Sequence, residues 1–330
     1  ENHLWVYSVD PSVEREENTY GMASQVFDWK SIKYTRINPN LAIPFRINDE
    51  LGFFVNEIWM CMPSNPVEKS LQQRFKTAKL VFYEDGLHAY NENYGWKQLT
   101  CNPRRFAKWM LIRFRQFLSG FKSKNKGGFP ARRLDQAYLI LGDRLKLASI
   151  YRPKKRQSFI PIGNLKAVAK RIAQIQGFCP PRIDQPEKTI VFLGCIFAEC
   201  DLTTWEEELA VYCKVVKRVL DLGYDVLWKE HPRAQRPFGN RLRQEFGGRL
   251  FTKKMNKLIP AEVFFTENKM AACISPHSTS LLLLSKFEIP VFQLTDFCDE
   301  FYNEAYRPVV GLVRKHVPPL QQLKPFRLKA

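Results

Sequence analysis

The chain lacks the sequence patterns that mark several common classes of protein. No apolar run reaches about 18 residues, so no segment is predicted to cross a membrane as a helix. There is no G-x-G-x-x-G turn, no Walker loop and no D-x-D pair, which argues against dinucleotide redox chemistry, ATP hydrolysis and metal-bound sugar-nucleotide chemistry. What remains is a globular chain of 330 residues, 45% of them apolar, which is long enough for two domains.

The eight cysteines form no metal-binding or redox motif. There is no C-x-x-C, and no spacing of cysteine and histidine suits zinc. Several of the thiols lie in apolar surroundings, which is typical of reduced core cysteines in a cytosolic protein. The cysteines are Cys61, Cys101, Cys179, Cys195, Cys200, Cys213, Cys273 and Cys298.

Acidic residues are too few to balance the basic ones, since 33 Asp and Glu oppose 51 Lys and Arg and leave a net charge of +18. A charge of this size indicates an acidic partner, such as nucleic acid, an anionic membrane or an acidic polymer. Residues 102–134 contain no acid, and aromatic side chains are interspersed among the cations. The basic residues of this stretch, called here the basic tract, are Arg104, Arg105, Lys108, Arg113, Arg115, Lys122, Lys124, Lys126, Arg132 and Arg133. A second basic cluster comprises Arg152, Lys154, Lys155 and Arg156.

Short apolar runs alternate with helical patterns along the chain, which indicates parallel sheets. In the first half, the predicted strands are Leu4–Val9, Ile58–Met62, Ala78–Tyr83 and Ala137–Leu141, and the predicted helices are Pro66–Thr77 and Pro103–Leu118. In the second half, the predicted strands are Thr189–Leu193, Asp225–Trp228, Met270–Ile274 and Ile289–Leu294, and the predicted helices are Thr204–Leu222 and Ser280–Lys286.

A polar segment with three prolines, residues 178–188, is predicted to link two halves of the chain. We therefore predict an α/β protein with two Rossmann-like domains, at 1–180 and 181–330, that face a cleft. Ligands of open α/β sheets bind at the carboxyl ends of the strands. Motifs that directly follow a predicted strand are accordingly the candidates for function.

The first such motif is Glu84-Asp85-Gly86, at the end of the strand Ala78–Tyr83. The glycine lets the backbone turn sharply and brings the carboxylates to the sheet edge. Two adjacent acids in a partly closed cleft raise the pKa of one of them by repulsion, which suits a general base. The alternative is an ordinary connection between a strand and a turn, where Asp-Gly is common.

The second motif is Lys229-Glu230-His231-Pro232, which follows a predicted buried strand. The proline ends the strand and fixes the loop, so that His231 is held in place. A protonated imidazole can donate to a phosphate oxygen and stabilise a leaving group. The alternative is a histidine with a structural role only.

The third motif is the hydroxyl cluster Ser278-Thr279-Ser280, which precedes an apolar helix. Hydroxyls at a helix N-terminus, beside its unpaired N–H groups and the positive end of its dipole, form a phosphate site. The alternative is a plain N-cap. His277 is adjacent to the cluster, and Glu262, just after Pro260 at a predicted helix start, can accept hydrogen bonds from ribose hydroxyls.

The three motifs occur as YEDG, KEHP and PHSTS, in that order, and span Glu84 to Ser280. Together they resemble motifs of the bacterial sialyltransferases, namely the polysialyltransferases of capsule synthesis and the related lipooligosaccharide sialyltransferases. Ile259–Glu262, with the sequence IPAE, is also similar to a segment of that family. The resemblance implies a GT-B fold and a metal-independent, inverting transfer of a nonulosonic acid, usually sialic acid, from its CMP ester.

The resemblance also implies a role for each matching residue. Asp85 is expected to deprotonate the acceptor hydroxyl, with Glu84 as the alternative base. His231, beside Pro232, is expected to bind or protonate the phosphate of CMP as it leaves. The remaining donor contacts are expected from Ser278, Thr279 and Ser280 to the phosphate and from Glu262 to the ribose. No metal and no cofactor beyond the CMP-sugar substrate is expected.

We therefore expect an enzyme of capsule or lipooligosaccharide synthesis, cytoplasmic and peripheral on the inner face of the bacterial inner membrane. The basic tract is expected to bind an acidic glycan acceptor or to lie on the anionic membrane near a lipid-linked acceptor. Its alternative is a solvated surface. Two other functions stay open, which are a nucleic-acid-binding protein on an inert α/β scaffold and a GT-B transferase with another donor such as CMP-Kdo. No recognised nucleic-acid motif supports the first of these.

Overall fold

The strands of the described part of the chain pair in parallel, which confirms the predicted α/β class. The structure is a computed structural model, and it describes residues 3–8, 25, 31–36, 55–60, 72, 75–84, 87–90, 106–107, 110–111, 134–142, 145–146, 153, 156–175, 183–251, 260–267 and 269–327. The chain forms two compact units, Glu1–Tyr20 with Asp28–Pro161 and Gly21–Phe27 with Ile162–Ala330. The domain boundary between residues 180 and 181 stays a prediction.

In the first unit, β1 (His3–Ser8) pairs with β2 (Ser31–Arg36), and four further strands form a second sheet. That sheet contains, side by side in this order, β3 (Glu57–Met60), β4 (Lys79–Tyr83), β5 (Gln136–Leu139) and β6 (Arg156–Phe159). The sequence predicted β1, β3, β4 and β5 to within about two residues. It did not predict β2 and β6, whose sequences SIKYTR and RQSF contain no continuous apolar run.

The second unit contains one five-stranded parallel sheet and six α-helices within the described residues. Its strands are β7 (Thr189–Leu193), β8 (Asp225–Lys229), β9 (Leu250–Phe251), β10 (Ala272–Ser275) and β11 (Val291–Gln293). Its helices are α1 (Ile162–Ile175), α2 (Trp205–Asp221), α3 (Gly239–Phe246), α4 (Ala261–Glu267), α5 (Thr279–Lys286) and α6 (Arg307–His316). The strand order across the sheet is β11-β10-β7-β8-β9.

The central strand, β7, is buried along its whole length. A parallel strand between two neighbours is covered on both faces, so it consists of a continuous apolar run, here TIVFL. One face of the sheet packs against the apolar side of α2. The core on this face includes Ile190, Phe192, Tyr212, Val215, Val216, Val219, Val226, Trp228, Ala272 and Ile274. This core fixes the position of β7 in the middle of the unit.

Helix α2 begins where the sequence predicted it. Thr204 is its N-cap, and the Thr204 side chain accepts a hydrogen bond from the backbone N–H of Glu207 at 3.2 Å. The Glu207 carboxylate accepts in return from the Thr204 backbone N–H at 2.9 Å, which completes a capping box. Gly223 follows the helix with a φ of +92°, a conformation that glycine adopts without strain.

Other predicted elements differ from the structure or lie outside the described residues. The predicted helix Pro66–Thr77 is wrong at its end, because residues 75–77 form a turn before β4. Within the predicted helix Pro103–Leu118, the four described residues are helical, while the rest lies outside the described residues. Helices α1, α3 and α6 were not predicted. In α1 the only buried residues are Ala169 and Ala173, so its apolar stripe is weak.

In the five-stranded sheet of the second unit, the order in which the chain adds strands reverses between β9 and β10. The chain passes from β7 to β8 and β9 on one side, then returns to place β10 and β11 on the other side of β7. Ligands of open parallel sheets bind outside the carboxyl ends of the strands at such a reversal. The carboxyl ends of β8, β7 and β10 are therefore adjacent, and the second and third sequence motifs follow β8 and β10.

Gly194, which follows β7, is expected to tolerate no side chain. A Cβ atom at this position would lie 2.8 Å from Cζ2 of the buried Trp228 ring. We expect Gly194→Ala to lower the free energy of unfolding by about 1–3 kcal/mol, measured by urea denaturation, because the ring is held in a packed core.

The matched control is Gly311→Ala in the interior of α6, where a new Cβ meets nothing within 4 Å. Because alanine favours the helix over glycine, this variant is expected to gain about 0.5–1 kcal/mol. Equal stability of the two variants would contradict the packing described for the end of β7.

Candidate functional site

The carboxyl ends of three neighbouring strands, β8, β7 and β10, are joined by hydrogen bonds at one edge of the five-stranded sheet. The backbone N–H of Gly194, after β7, donates to the carbonyl of Lys229 at 3.0 Å. The Ser275 hydroxyl, at the end of β10, donates to the carbonyl of Leu193 at 3.0 Å. The structure thus brings the second and third motifs to the same edge, with the end of β7 between them.

His231 lies in the loop after β8 and is partly buried. Its Nδ1 atom accepts a hydrogen bond from the backbone N–H of Arg233 at 3.1 Å. This contact assigns the proton of the neutral imidazole to Nε2, which is then the nitrogen that donates. The His231 carbonyl accepts from the Ala234 N–H at 3.0 Å, which closes the turn around Pro232. The predicted rigid histidine loop is therefore present.

Two charged residues beside His231 are withdrawn from water. Glu230 accepts a hydrogen bond from the Gly239 N–H, at the start of α3, at 2.6 Å, and burial raises the pKa of its carboxyl group. Lys229 is only 5% exposed, and burial lowers the pKa of its ammonium group to about 8. The nearby carboxyl groups of Glu262 and Glu230 oppose this shift. A buried basic side chain therefore lies at the end of β8, directly before Glu230 and His231.

Lys229 is a residue whose individual importance the sequence analysis missed. The signal was present, because a lysine that ends the otherwise apolar run VLWK has to be placed in the sheet interior or at its edge. The structure places the charge of Lys229 close to that of Glu262, on α4. Glu262 is partly buried, and its charge acts on Lys229, the first residue of the second motif.

The hydroxyl cluster forms the first turn of α5. Ser278 is the N-cap, and its side-chain oxygen accepts from the backbone N–H of Ser280 at 3.2 Å. The capping role that the sequence left as an alternative is therefore present. It is compatible with anion binding, because the other N–H groups of the first turn and the positive end of the helix dipole face the same direction.

His277 has a different environment from His231. Its ring contacts the aromatic rings of Phe197, Tyr302 and Tyr306 at centroid distances of 5.3, 5.4 and 5.9 Å. Nδ1 lies 3.2 Å from the Tyr302 hydroxyl. Burial lowers the pKa of His277 to about 4, so the ring is neutral at neutral pH. His277 is thus part of an aromatic support under the third motif rather than a cationic phosphate ligand.

The loop after β7 is held from behind by two buried side chains of α2. The N–H of Cys195 donates to the Tyr212 hydroxyl at 2.9 Å, and this hydroxyl donates to Oε1 of Glu208 at 2.6 Å. The N–H of Ala198 donates to the other oxygen of Glu208 at 2.8 Å. The sequence analysis missed this pair. The available signal was a glutamate four residues before a tyrosine on the apolar side of α2.

In the first unit, Glu84 directly follows β4 and is 6% exposed. Its carboxylate accepts from the Tyr90 hydroxyl and from the N–H groups of Ile140 and Leu141, at 2.6 and 2.9 Å in the two backbone contacts. Through these hydrogen bonds, Glu84 holds the backbone that follows β5 in place. Asp85, the predicted base, lies outside the described residues.

Several other predictions lie wholly or partly outside the described residues. All ten residues of the basic tract do so, as do Arg152, Lys154 and Lys155 of the second cluster. Where the structure describes the chain, no three His, Cys, Asp or Glu side chains are grouped so as to hold a metal ion. None of the helices within the described ranges has the length and apolar character that a bilayer span requires.

Comparison with known proteins identifies a family for this arrangement. The family model described as alpha-2,8-polysialyltransferase (POLYST) matches residues 55–295. A solved structure, the alpha/beta-galactoside alpha-2,3-sialyltransferase of the luminous marine bacterium Photobacterium phosphoreum, is similar at 15% identity with a TM-score of 0.49, over 98% of this chain and 100% of that one. No curated protein matches the chain. The family match confirms the resemblance indicated by the three ordered motifs and the prediction of a glycosyltransferase.

The pH dependence of stability tests the contacts of Glu208. Burial raises the pKa of Glu208 in the folded state, so its contribution to stability is present below the unfolded pKa, about 4.3, and is lost as the pH rises through the folded value. Because Glu208→Gln cannot titrate, we expect the stability of this variant relative to wild type to increase with pH above about 4. The measurement is urea unfolding at a series of pH values.

The matched control for this experiment is Glu304→Gln, which changes an exposed carboxyl group of the same unit. We expect the difference between this control and wild type to vary less with pH. A difference between Glu208→Gln and wild type that stays constant over the whole series would mean that Glu208 is not desolvated as the structure indicates.

Proposed function

The chain belongs to the alpha-2,8-polysialyltransferase family, and from this premise we propose that it transfers sialic acid, or a related nonulosonic acid, from its CMP ester to a hydroxyl group of a glycan. The observation that supports the proposal most directly is that the histidine motif follows β8 and the hydroxyl motif follows β10. These two strands lie on either side of β7. A phosphate at this edge would meet both motifs at once.

The second unit is proposed to bind the donor. His231 Nε2–H and the first turn of α5, with Ser278, Thr279 and Ser280, would hold the phosphate of CMP. Glu262 would accept hydrogen bonds from the ribose hydroxyls. The buried charge of Lys229 lies close to Glu262 and would attract its carboxylate group, which would help to hold the side chain in this role.

The transfer is proposed to be a single inverting displacement without a metal ion. Asp85 would remove the proton of the acceptor hydroxyl, whose oxygen forms a bond to the anomeric carbon of the nonulosonic acid. The bond from that carbon to the phosphate oxygen breaks, and CMP departs with the electron pair. His231 and the helix N-terminus would stabilise the negative charge on the leaving phosphate, the task that a divalent cation performs in other transferases.

The acceptor is proposed to bind in the first unit. The net charge of +18 and the acid-free basic tract favour an acidic glycan as the acceptor. A place on the inner face of the bacterial inner membrane, where capsule or lipooligosaccharide is built, is part of the same proposal.

Selective binding of CMP is the first expected property. We expect CMP to raise the melting temperature in the presence of EDTA. At a CMP concentration of about 100 times the Kd, binding adds about 2.7 kcal/mol to the free energy of unfolding. UMP, GMP and ADP are expected to give smaller shifts at the same concentration. Because His231 is proposed to contact the phosphate, His231→Ala is expected to reduce the CMP shift.

The result that would contradict the donor assignment is a shift of the same size with all four nucleotides. A shift that disappears on addition of EDTA would instead refute metal independence and leave the nucleotide assignment in place.

The two acids of the first motif are expected to respond differently to loss of charge. Asp85→Asn should lower kcat by at least about 100-fold while the melting temperature and CMP binding stay at wild-type values, because the base is lost and the fold is not. Glu84→Gln should instead lower the free energy of unfolding by about 1–3 kcal/mol, because a carboxylate that accepts several buried hydrogen bonds is replaced. Turnover kinetics and urea denaturation measure the two effects. Wild-type turnover in Asp85→Asn would exclude Asp85 as the base.

A further inference from the structure

The two faces of the β3–β6 sheet carry different side chains. Alternate side chains of a strand point to opposite faces, and the parallel register aligns them across the sheet. One face carries the buried residues Ile58, Met60, Leu80, Phe82, Ala137 and Leu139, with the exposed Phe159 at its β6 end. The other face carries the buried Val81 and Gln136 together with Trp59 on β3, Tyr83 on β4 and Tyr138 on β5. Trp59 is 51% exposed and Tyr83 is 38% exposed.

Trp59, Tyr83 and Tyr138 are called here the aromatic platform. The rings of Trp59 and Tyr138 stack across β4 with a centroid distance of 4.9 Å and an angle of 17° between their planes. The indole N–H of Trp59 donates to Glu57 at 3.1 Å, and Lys79 donates to the same carboxylate at 2.9 Å. The stack and the polar anchor together restrict the orientation of the indole.

Structural packing alone does not account for this surface. Parallel sheets are normally buried on both faces, because helices cover each side. A single exposed aromatic residue is ordinary, whereas this face carries two exposed aromatic side chains, one of which is stacked on a third ring. We therefore consider these side chains as a binding surface.

The aromatic platform lies close to the first motif. The carbonyl of Tyr138 accepts a hydrogen bond from the Glu84 N–H at 3.1 Å, and Tyr83 directly precedes Glu84. Trp59 is paired in register with Val81, three residues before Glu84, which corresponds to about 10 Å along the strand direction. This separation corresponds to one or two sugar rings from the proposed base.

We propose that the aromatic platform binds a sugar ring of the acceptor glycan, with Trp59 as its main contact. This inference rests on the proposed function, to which it adds a recognition site for the acceptor. A pyranose ring presents a flat face of C–H groups that packs on an aromatic ring, while its hydroxyls stay at the rim and bind water. The contact is independent of charge, so it would orient the acceptor chain while cationic residues attract it.

The test compares Trp59→Ala, Trp59→Phe and the control Phe159→Ala with the wild-type chain. Phe159 is 54% exposed on β6, but the register with Leu139 places it on the opposite face of the same sheet. In transfer assays with a trimer of α-2,8-linked sialic acid as acceptor, we expect Trp59→Ala to raise the acceptor KM by about tenfold or more. The kcat at saturation and the CMP thermal shift should stay unchanged. Trp59→Phe should recover most of the loss, and Phe159→Ala should behave like wild type.

Direct binding separates this proposal from the proposed function. Saturation-transfer NMR with the same trimer and no donor should show contacts in the wild type and in Phe159→Ala that are weakened in Trp59→Ala. If CMP does not bind but this pattern is found, the donor assignment fails and the aromatic platform stands. If CMP binds and Trp59→Ala retains wild-type trimer binding and KM, the aromatic platform is refuted alone. A wild-type chain that does not bind the trimer at millimolar concentration, or an equal loss in Phe159→Ala, would refute it as well.

Discussion

The hydrogen-bonded end of β7 is the constraint on which the proposed donor site depends. β7 is the central strand, and its carboxyl end is tied to β8 through Gly194 and to β10 through Ser275. The third support is the pair Tyr212 and Glu208, which engages backbone N–H groups of the following loop. Because all of these bonds converge on a few backbone atoms, the histidine motif and the hydroxyl motif are held on either side of a fixed centre. A site for a phosphate needs this rigidity, since charge stabilisation falls steeply when donors are displaced.

The buried charges near this edge are better explained by function than by stability. Glu208 is fully buried and Lys229 is nearly so. Burial raises the pKa of Glu208 and lowers the pKa of Lys229, which favours the neutral form of each group. Removing a charge from water costs several kcal/mol, and even a well-paired buried charge seldom stabilises a fold more than apolar side chains of the same size would. These groups contribute fixed orientation instead. Glu208 shapes the loop after β7, and Lys229 places a positive charge close to Glu262, which is proposed to bind the ribose.

The sequence was sufficient to predict the framework of the second unit, because the signals there are local. An unbroken apolar run predicts a central strand such as β7, and Thr204 with Glu207 predicts the start of α2. The contacts of Glu84 were beyond the sequence, because Ile140 and Leu141 are far from it along the chain and meet it only through the pairing of β4 with β5. The sequence analysis gave Glu84 as the alternative base to Asp85, whereas tertiary contacts show that Glu84 holds the backbone after β5.

The same distinction explains why the aromatic platform was not predicted. Trp59 and Tyr138 are far apart in sequence, and each occupies a strand position that would be buried in an ordinary parallel sheet. Only the register of β3, β4 and β5 places them on one face, and only the accessible area shows that Trp59 and Tyr83 are exposed there. Two kinds of recognition are therefore suited to the two substrates. In the proposed mechanism, a leaving phosphate, which gains charge during the reaction, would be matched by hydrogen-bond donors and a helix dipole. A sugar ring, whose charge does not change there, would be matched by an aromatic surface. An acceptor held by such a surface would lose little when salt screens the basic tract, so its orientation would be independent of a long-range attraction by that tract.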